Sequence, residues 1–401
     1  MTIEDFKRSA TEDVDVQRLD LVALSLRIHA NPELAFHEQK ASGWLTDYLR
    51  RNGFHVEQGI CDLPTAFRAS FGSGSPVIGI IGEYDALPGV GHACGHNLIG
   101  TSAVGAAVAL KRCLGKLGGR VVVLGTPGEE AGGGKVTMVK KGAFAGLDVA
   151  MIVHPGVRNN VYAKALACIG LDVDYIGRSA HAAARPEAGI NALDALILAY
   201  NGIGALRQHI RGDARIHGII THGGDAANVI PAHASASFLV RAADERYLLE
   251  LQEKVQNCFL GAATATGTEV KLSWGANMYA ALRTNVILAQ AFAANMEALG
   301  RKVEPNRRPR GMGSTDMGNV SAVVPSIHPS VAIAHRTVVV HSPDFAAAAA
   351  SEEGQCGLID AAKAMAMTAV DLLASPSLLA SVKEEFLAMH DESGGGDHVR
   401  L

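Results

Sequence analysis

The sequence predicts an α/β protein: a mixed, largely parallel sheet flanked by helices, with a smaller ferredoxin-like βαββαβ domain inserted into it. Three observations carry this. Short, continuous apolar runs (76–82, 120–125 and 147–153) alternate with helical patterns, as strands buried on both faces do. From about Ala165 the order changes to strand, helix, strand, strand, helix, strand. Residues that bind metals or move protons then follow the ends of the apolar runs, where open α/β sheets bind their ligands.

Taken in order, "VDVQRLDLVALSLRIHA" (14–30) and "EQKASGWLTDYLRRNGF" (38–54) repeat their apolar residues at helical spacing. "PVIGIIG" (76–82), "RVVVLG" (120–125) and "LDVAMIV" (147–153) read as strands. Between the first two lies "LIGTSAVGAAVALKRCLG" (98–115), whose small residues suit a helix packed closely on a sheet. The inserted unit reads strand 165–177, helix 189–210, strands 214–224 and 233–242, helix 245–266 and strand 268–274. A late run, "RTVVV" (336–340), reads as another strand, and "GLIDAAKAMAMTAVDLLA" (357–374) as a closing helix. The chain of 401 residues is long for one core, so the division expected is 1–164 with 278–401, and 165–277 inserted.

Bulk properties exclude several classes. A net charge of −4 gives no footprint for nucleic acid, and the basic stretch Arg301–Gly311 is short and broken by prolines, a solvated loop in character with a site for an anionic substrate as the lesser alternative. Six scattered cysteines with no CxxC pair form no disulfide framework and fit a reducing cytoplasm. The acidic N-terminus is unlike a signal peptide, no apolar run nears the ~20 residues of a membrane helix, and the tail "DESGGGDHVRL" reads as a frayed end.

The chemistry gathers after the strands. "VIGIIG" runs into Glu83, Asp85, His92, Cys94 and His96 within "GEYDALPGVGHACGHN". "VVVLG" runs into Thr126, Glu129 and Glu130, "VAMIV" into His154, and "RTVVV" into His341. Thiol, imidazole and carboxylate together suit Zn²⁺, with Mn²⁺ or Co²⁺ as alternatives. In the adjacent pair Glu129-Glu130 one acid can bind metal while the other serves as general base to a water acidified by the metal. Nucleotide loops fail on spacing. In "GEEAGGGK" a P-loop would need glycine at 129, and no Ser or Thr follows Lys135; "GVGHACG" lacks its third glycine. No GxSxG elbow is present for a serine hydrolase.

These motifs resemble the aminoacylase/carboxypeptidase family of di-metal peptidases, in its amidohydrolase branch of aminobenzoyl-glutamate, auxin-conjugate and hippurate amidohydrolases and β-alanyl-lysine dipeptidase. The resemblance spans nearly the whole chain, through "IHANPELAFHEQ", "GEYDALPGVGHACGHN", "TPGEEAGGG", "MIVHPG", "GRSAHAAARPEAGINALDA", "GGDAANVIP", "GSTDMGNVS" and "VVVHSPDF". It implies two divalent ions per chain held by Cys94, His96, Glu130, His154 and His341, the thiolate being a candidate bridge; His335 and His328 are rivals for the last place. It further implies Glu129 as general base, Asp85 as the carboxylate that orients a ligand, and His181 as the histidine that polarises the scissile carbonyl, often in a partner's active site. Asn228 and Arg241 are similar to the pair that holds the substrate near its carboxylate. Two positions depart from the family pattern: Asn97, where Asp is commoner, and Gly128, where Ala is.

The resemblance implies a homodimeric enzyme, paired through the inserted lid domain, and the composition a cytoplasmic one. It would cleave the amide bond of an N-acyl, N-aroyl or β-alanyl amino acid or dipeptide by attack of a metal-bridging hydroxide. The rival readings are a hydrolase of a non-peptide aryl-amide or toxin conjugate, and a metal-containing binding protein without turnover.

Overall fold

The computed structural model describes residues 1–305 and 313–392. Part of the basic stretch 301–311 and most of the C-terminal tail lie outside them. The described residues form two compact units, one of 1–164, 282–305 and 319–392, the other of Ala165–Ala281 with 313–318.

The first unit is built on a six-stranded sheet of β1 (His55–Gln58), β2 (Phe67–Ser73), β3 (Val77–Gly82), β4 (Gly119–Gly125), β5 (Val149–Met151) and, late in the chain, β11 (Ser326–Ile327). The strand order is β1-β2-β4-β3-β5-β11; β4, β3, β5 and β11 run parallel, while β1 and β2 add an antiparallel edge. A parallel pair, β6 (His154–Gly156) and β12 (Ser330–Ala332), stands apart from it. β3 and β4 are buried almost throughout, which explains why they read as unbroken apolar runs rather than alternating ones.

The helix His96–Ala109 is buried along its whole length. Its small residues allow close approach to the sheet: a Cβ on Gly100 would lie 2.9 Å from the Glu83 carbonyl oxygen. The single helix expected over 98–115 is two, His96–Ala109 and Lys111–Leu117, bent by 42°. Helix Glu352–Ala374 covers the same side, its first turn capped by the Ser351 side chain on the Gly354 N–H.

In the second unit β7 (Ala167–Ile176), β8 (Arg215–His222), β9 (His233–Ala242) and β10 (Glu269–Trp274) form an antiparallel sheet of order β10-β7-β9-β8. Helices Ala192–Leu206 and Glu245–Thr266 lie on one face, giving the expected βαββαβ order. β7 and β9 alternate buried and exposed residues, as half-covered strands must.

Three expectations change. The N-terminal stretch read only as polar is helix Ile3–Val16, closed by a reciprocal capping box between Thr2 and Asp5; the helix expected from residue 14 starts instead at Arg18. β1 leaves no clear pattern because it is short and almost wholly exposed, and β2 because only its first residues are buried and polar residues and glycine interrupt it. The valine run 336–340 is not a strand but a turn: Val338 N–H donates to the His335 carbonyl, and among the described residues no neighbouring strand pairs with the run. β-branched residues favour extended backbone only where a partner strand completes the ladder.

Candidate metal centre

Where β3 ends at Gly82, the chain enters a turn-rich segment that places Asp85, Cys94 and His96. Gly95 caps the buried helix with φ 79°, and a Cβ there would meet Pro155 Cγ at 2.4 Å. Both the left-handed backbone and the lack of space require glycine between the two candidate ligands. We expect Gly95→Ala to destabilise the protein by about 1–3 kcal/mol. A thermal melt should show a Tm lower by several degrees and weakened metal binding; an unchanged Tm would disprove the packing argument.

Asp85, fully enclosed, uses both oxygens. Oδ1 lies 3.0 Å from His96 Nδ1, and Oδ2 accepts the Glu130 N–H at 2.9 Å. The first bond turns His96 Nε2 away from the carboxylate, as the outer partner of a metal-binding histidine does. The second ties the loop after β4 to the loop after β3. That loop is fixed at its start too, because Thr126 N–H donates to the Gly82 carbonyl at 2.9 Å.

His154 opens β6 rather than ending β5. Its Nδ1 lies 2.6 Å from the Pro155 carbonyl oxygen and must donate to it, which leaves the Nε2 lone pair facing Cys94 Sγ at 3.3 Å. His341, carried by the turn rather than a strand, faces the same sulfur from Nε2 at 3.3 Å and Glu130 Oε1 at 3.5 Å. Its backbone is left-handed, φ 69°, and its N–H is held by the Ala93 carbonyl at 2.9 Å.

Two donor triads therefore share one sulfur: Cys94 with His96 and His154, and Cys94 with Glu130 and His341. Glu129 and Glu130 form a further group with His96. His96 Nε2 and Glu130 Oε1 are buried without a hydrogen-bond partner, only 3.8 Å apart. Buried polar atoms left unpaired and aimed at one space are what a cation would satisfy, so the nitrogen, sulfur and oxygen donors fit a pair of divalent ions. Of the rivals for the last position, His335 is exposed and bonded to Thr337 Oγ1 at 2.9 Å, while His328 stacks edge-on behind His154 at 5.5 Å.

Burial pushes the Cys94 thiol up, and burial beside His328 and His96 holds His154 down at about 3, a neutral imidazole ready to bind. For His96 burial acts against charge, but the Cys94 sulfur and Asp85 outweigh it and raise its pKa. A bound cation would reverse the thiol's preference and stabilise the thiolate.

Within the second unit, His181 and Val229 pair as a bridge, and Ala182 N–H donates to the Asn228 carbonyl at 2.9 Å, so His181 and Asn228 share one structure. His181 Nδ1 accepts the N–H groups of Ala183 and Ala184 at 3.3 and 3.2 Å, leaving Nε2–H as an exposed donor. Arg241 stands on β9, its Nη1 donating to Ser314 Oγ at 3.0 Å. The two departures have local causes. Asn97 donates to Ser25 Oγ and the Ala349 carbonyl, at 3.0 and 3.2 Å, a service no carboxylate can perform. Gly128 has φ 68° and gives its N–H to Glu38 Oε1 at 2.9 Å.

The sequence patterns assign no role to Glu38 or Lys135, and leave Glu83 only as one acid among several. Glu38 is buried and accepts from Phe36 N–H, Gly128 N–H and Thr65 Oγ1. Glu83 Oε1 pairs with Lys135 Nζ at 2.6 Å, both side chains enclosed. Glu83 is hidden in sequence by the metal motif that follows it, and Lys135 enters there only as the lysine of a failed P-loop.

A donor set of this kind at the carboxyl end of a mostly parallel sheet fits a metal centre in an α/β protein. Residues 79–348 match the model of peptidase family M20/M25/M40, and the chain belongs to that family. It is a hydrolase acting on amide bonds. It is 40% identical to the Xaa-Arg dipeptidase of Mus musculus over 400 residues, 96% of this chain and 93% of that protein. It is 36% identical to a p-aminobenzoyl-glutamate hydrolase chain of Escherichia coli over 290 residues, 67% of this chain and 60% of that one. Its fold is similar to that of the YXEP protein of Bacillus subtilis, described as a dinuclear metal-binding peptidase of the M20 family, with a TM-score of 0.68, 19% identity and coverage of 90% and 99% of the two chains.

Proposed function

We propose that this chain cleaves the amide bond joining an acyl, aroyl or aminoacyl group to an amino acid, as in an N-acyl or β-alanyl amino acid or a dipeptide. The observation that carries the reading is the single Cys94 sulfur shared by two triads of donors. The relatives support the substrate class, since a dipeptide and p-aminobenzoyl-glutamate each present an amide next to an amino-acid carboxylate.

Cys94, His96, Glu130, His154 and His341 would hold two divalent ions, Zn²⁺ or alternatively Mn²⁺ or Co²⁺, which supply Lewis-acid polarisation of the carbonyl and acidify water when bound. Glu129 takes the proton of the attacking water and passes it to the leaving amine. His181 Nε2–H donates to the carbonyl oxygen as charge develops there, while Asn228 and Arg241 receive the carboxylate end. Asp85 keeps His96 turned toward the ligand space.

The reading includes a cytoplasmic homodimer paired through the inserted unit. All six cysteines are unpaired, and among the described residues no single helix is long and apolar enough to cross a membrane. β8 is an edge strand with Ile219 66% and Ile220 44% exposed, an open ladder available to a second copy. If His181 acts across the dimer, mixing inactive His181→Ala with inactive Glu129→Gln protomers should restore measurable turnover; silence in verified mixed dimers would refute the trans arrangement.

The deciding experiment is hydrolysis by metal-stripped protein with and without Zn²⁺ or Mn²⁺, read by mass spectrometry on N-acyl, N-aroyl and β-alanyl amino acids and Xaa-Arg dipeptides. Cleavage that depends on metal supports the reading and reports the acyl preference. No cleavage with two ions bound would overturn it in favour of a binding role or an aryl-amide conjugate.

A further inference from the structure

The segment Pro127–Gly134 carries Glu129 and Glu130 between β4 and the helix Gly134–Lys140. It closes on itself, with Gly133 N–H donating to the Gly128 carbonyl at 3.0 Å. Its first half is fixed by two buried carboxylates, Glu38 on the Gly128 N–H and Asp85 on the Glu130 N–H. After Glu130 come Ala131 and three glycines, which bring almost no side chain to pack. Lys135 is the first long side chain beyond them, and it is fully buried.

A buried lysine is rare and costly unless paired. Here Nζ lies 2.6 Å from Glu83 Oε1, on the segment leaving β3, and Glu83 Oε2 lies 3.5 Å from His96 Nε2. Strand β3 is thus followed by two acids, Glu83 and Asp85, that grip the catalytic loop at successive points, while both face the same histidine.

We propose that the Glu83–Lys135 ion pair is a third clamp on the Glu129–Glu130 loop, holding its far end, and that Lys135 is a positioning residue for hydrolysis. The pair ties the far end of the glycine stretch to the segment leaving β3, beside the buried Val136 and Met138 of the same helix, and without it Glu129 loses its place over the ligand space. A general base displaced by even ~1 Å loses much of its advantage, because proton transfer requires hydrogen-bond reach in the reacting geometry. The inference rests on the proposed role of Glu129, but the clamp is visible without substrate.

The test is Lys135→Met in the full chain, loaded with Zn²⁺ or Mn²⁺. Amide hydrogen exchange should quicken at least ~10-fold over 127–134, with the rest of the protein protected as in the wild type. On a substrate the wild type cleaves, kcat should fall roughly 100-fold with KM within about threefold, the pattern of a lost transition-state interaction. Wild-type exchange over 127–134, or kcat within about threefold of wild type, would overturn the proposal. If Lys135→Met does not fold, Glu83→Gln with Lys135→Met removes both buried charges, and the same two readouts apply. Should the wild type itself cleave nothing, the hydrolytic reading fails while hydrogen exchange still decides the clamp.

Discussion

Glu129→Gln is expected to bind two divalent ions about as tightly as the wild type and to lose turnover by roughly 10²–10⁴-fold, the span over which general acid–base groups contribute. The substitution keeps the shape and the carbonyl acceptor but removes the site that takes a proton. Glu130 remains to face His96 at 3.8 Å and His341 at 3.5 Å, so the ligand set survives. Isothermal titration with Zn²⁺ and steady-state kinetics check the two halves separately. Loss of an ion in the Gln variant would make Glu129 a ligand and move the base elsewhere.

Cys94→Ala should have the larger effect on metal. Both His154 and His341 face its sulfur at 3.3 Å, so its removal takes one donor from each triad at once. We expect the tighter ion to weaken by at least two orders of magnitude, the second to be lost at micromolar concentrations, and activity to vanish, because a thiolate is a ligand and not merely its support. Metal content by mass spectrometry of the purified variant is the direct measurement; a full complement of two ions would show that the shared sulfur is dispensable.

Much of this is legible in the sequence, and the exceptions have physical causes. β3, β4 and the helix Glu245–Thr266 can be read because burial on both faces or an uninterrupted helical period leaves an unmistakable pattern. His96, Cys94 and Glu130 are readable as candidates because few other pressures put such residues together among glycines. The strand expected before His341 fails because valines report a preference for extended backbone and say nothing of a partner strand. Glu38 and Lys135 are unreadable for a related reason. A buried charge declares itself only through its counter-charge, and Lys135 lies far along the chain from Glu83. A lysine directly after "EEAGGG" could raise the question, since an exposed glycine loop has little need of one.

His341 meets Cys94 across 247 residues of chain, and its backbone sits in a conformation that costs energy until the Ala93 carbonyl secures it. Closing a loop of that length costs chain entropy that local contacts do not. The core of the first unit is also closed late in the chain: the helix Glu352–Ala374, beyond residue 341, packs against the buried helix that begins at His96. A chain ending short of residue 341 would lack both that histidine and this helix, so truncation there would remove core packing and a candidate ligand together.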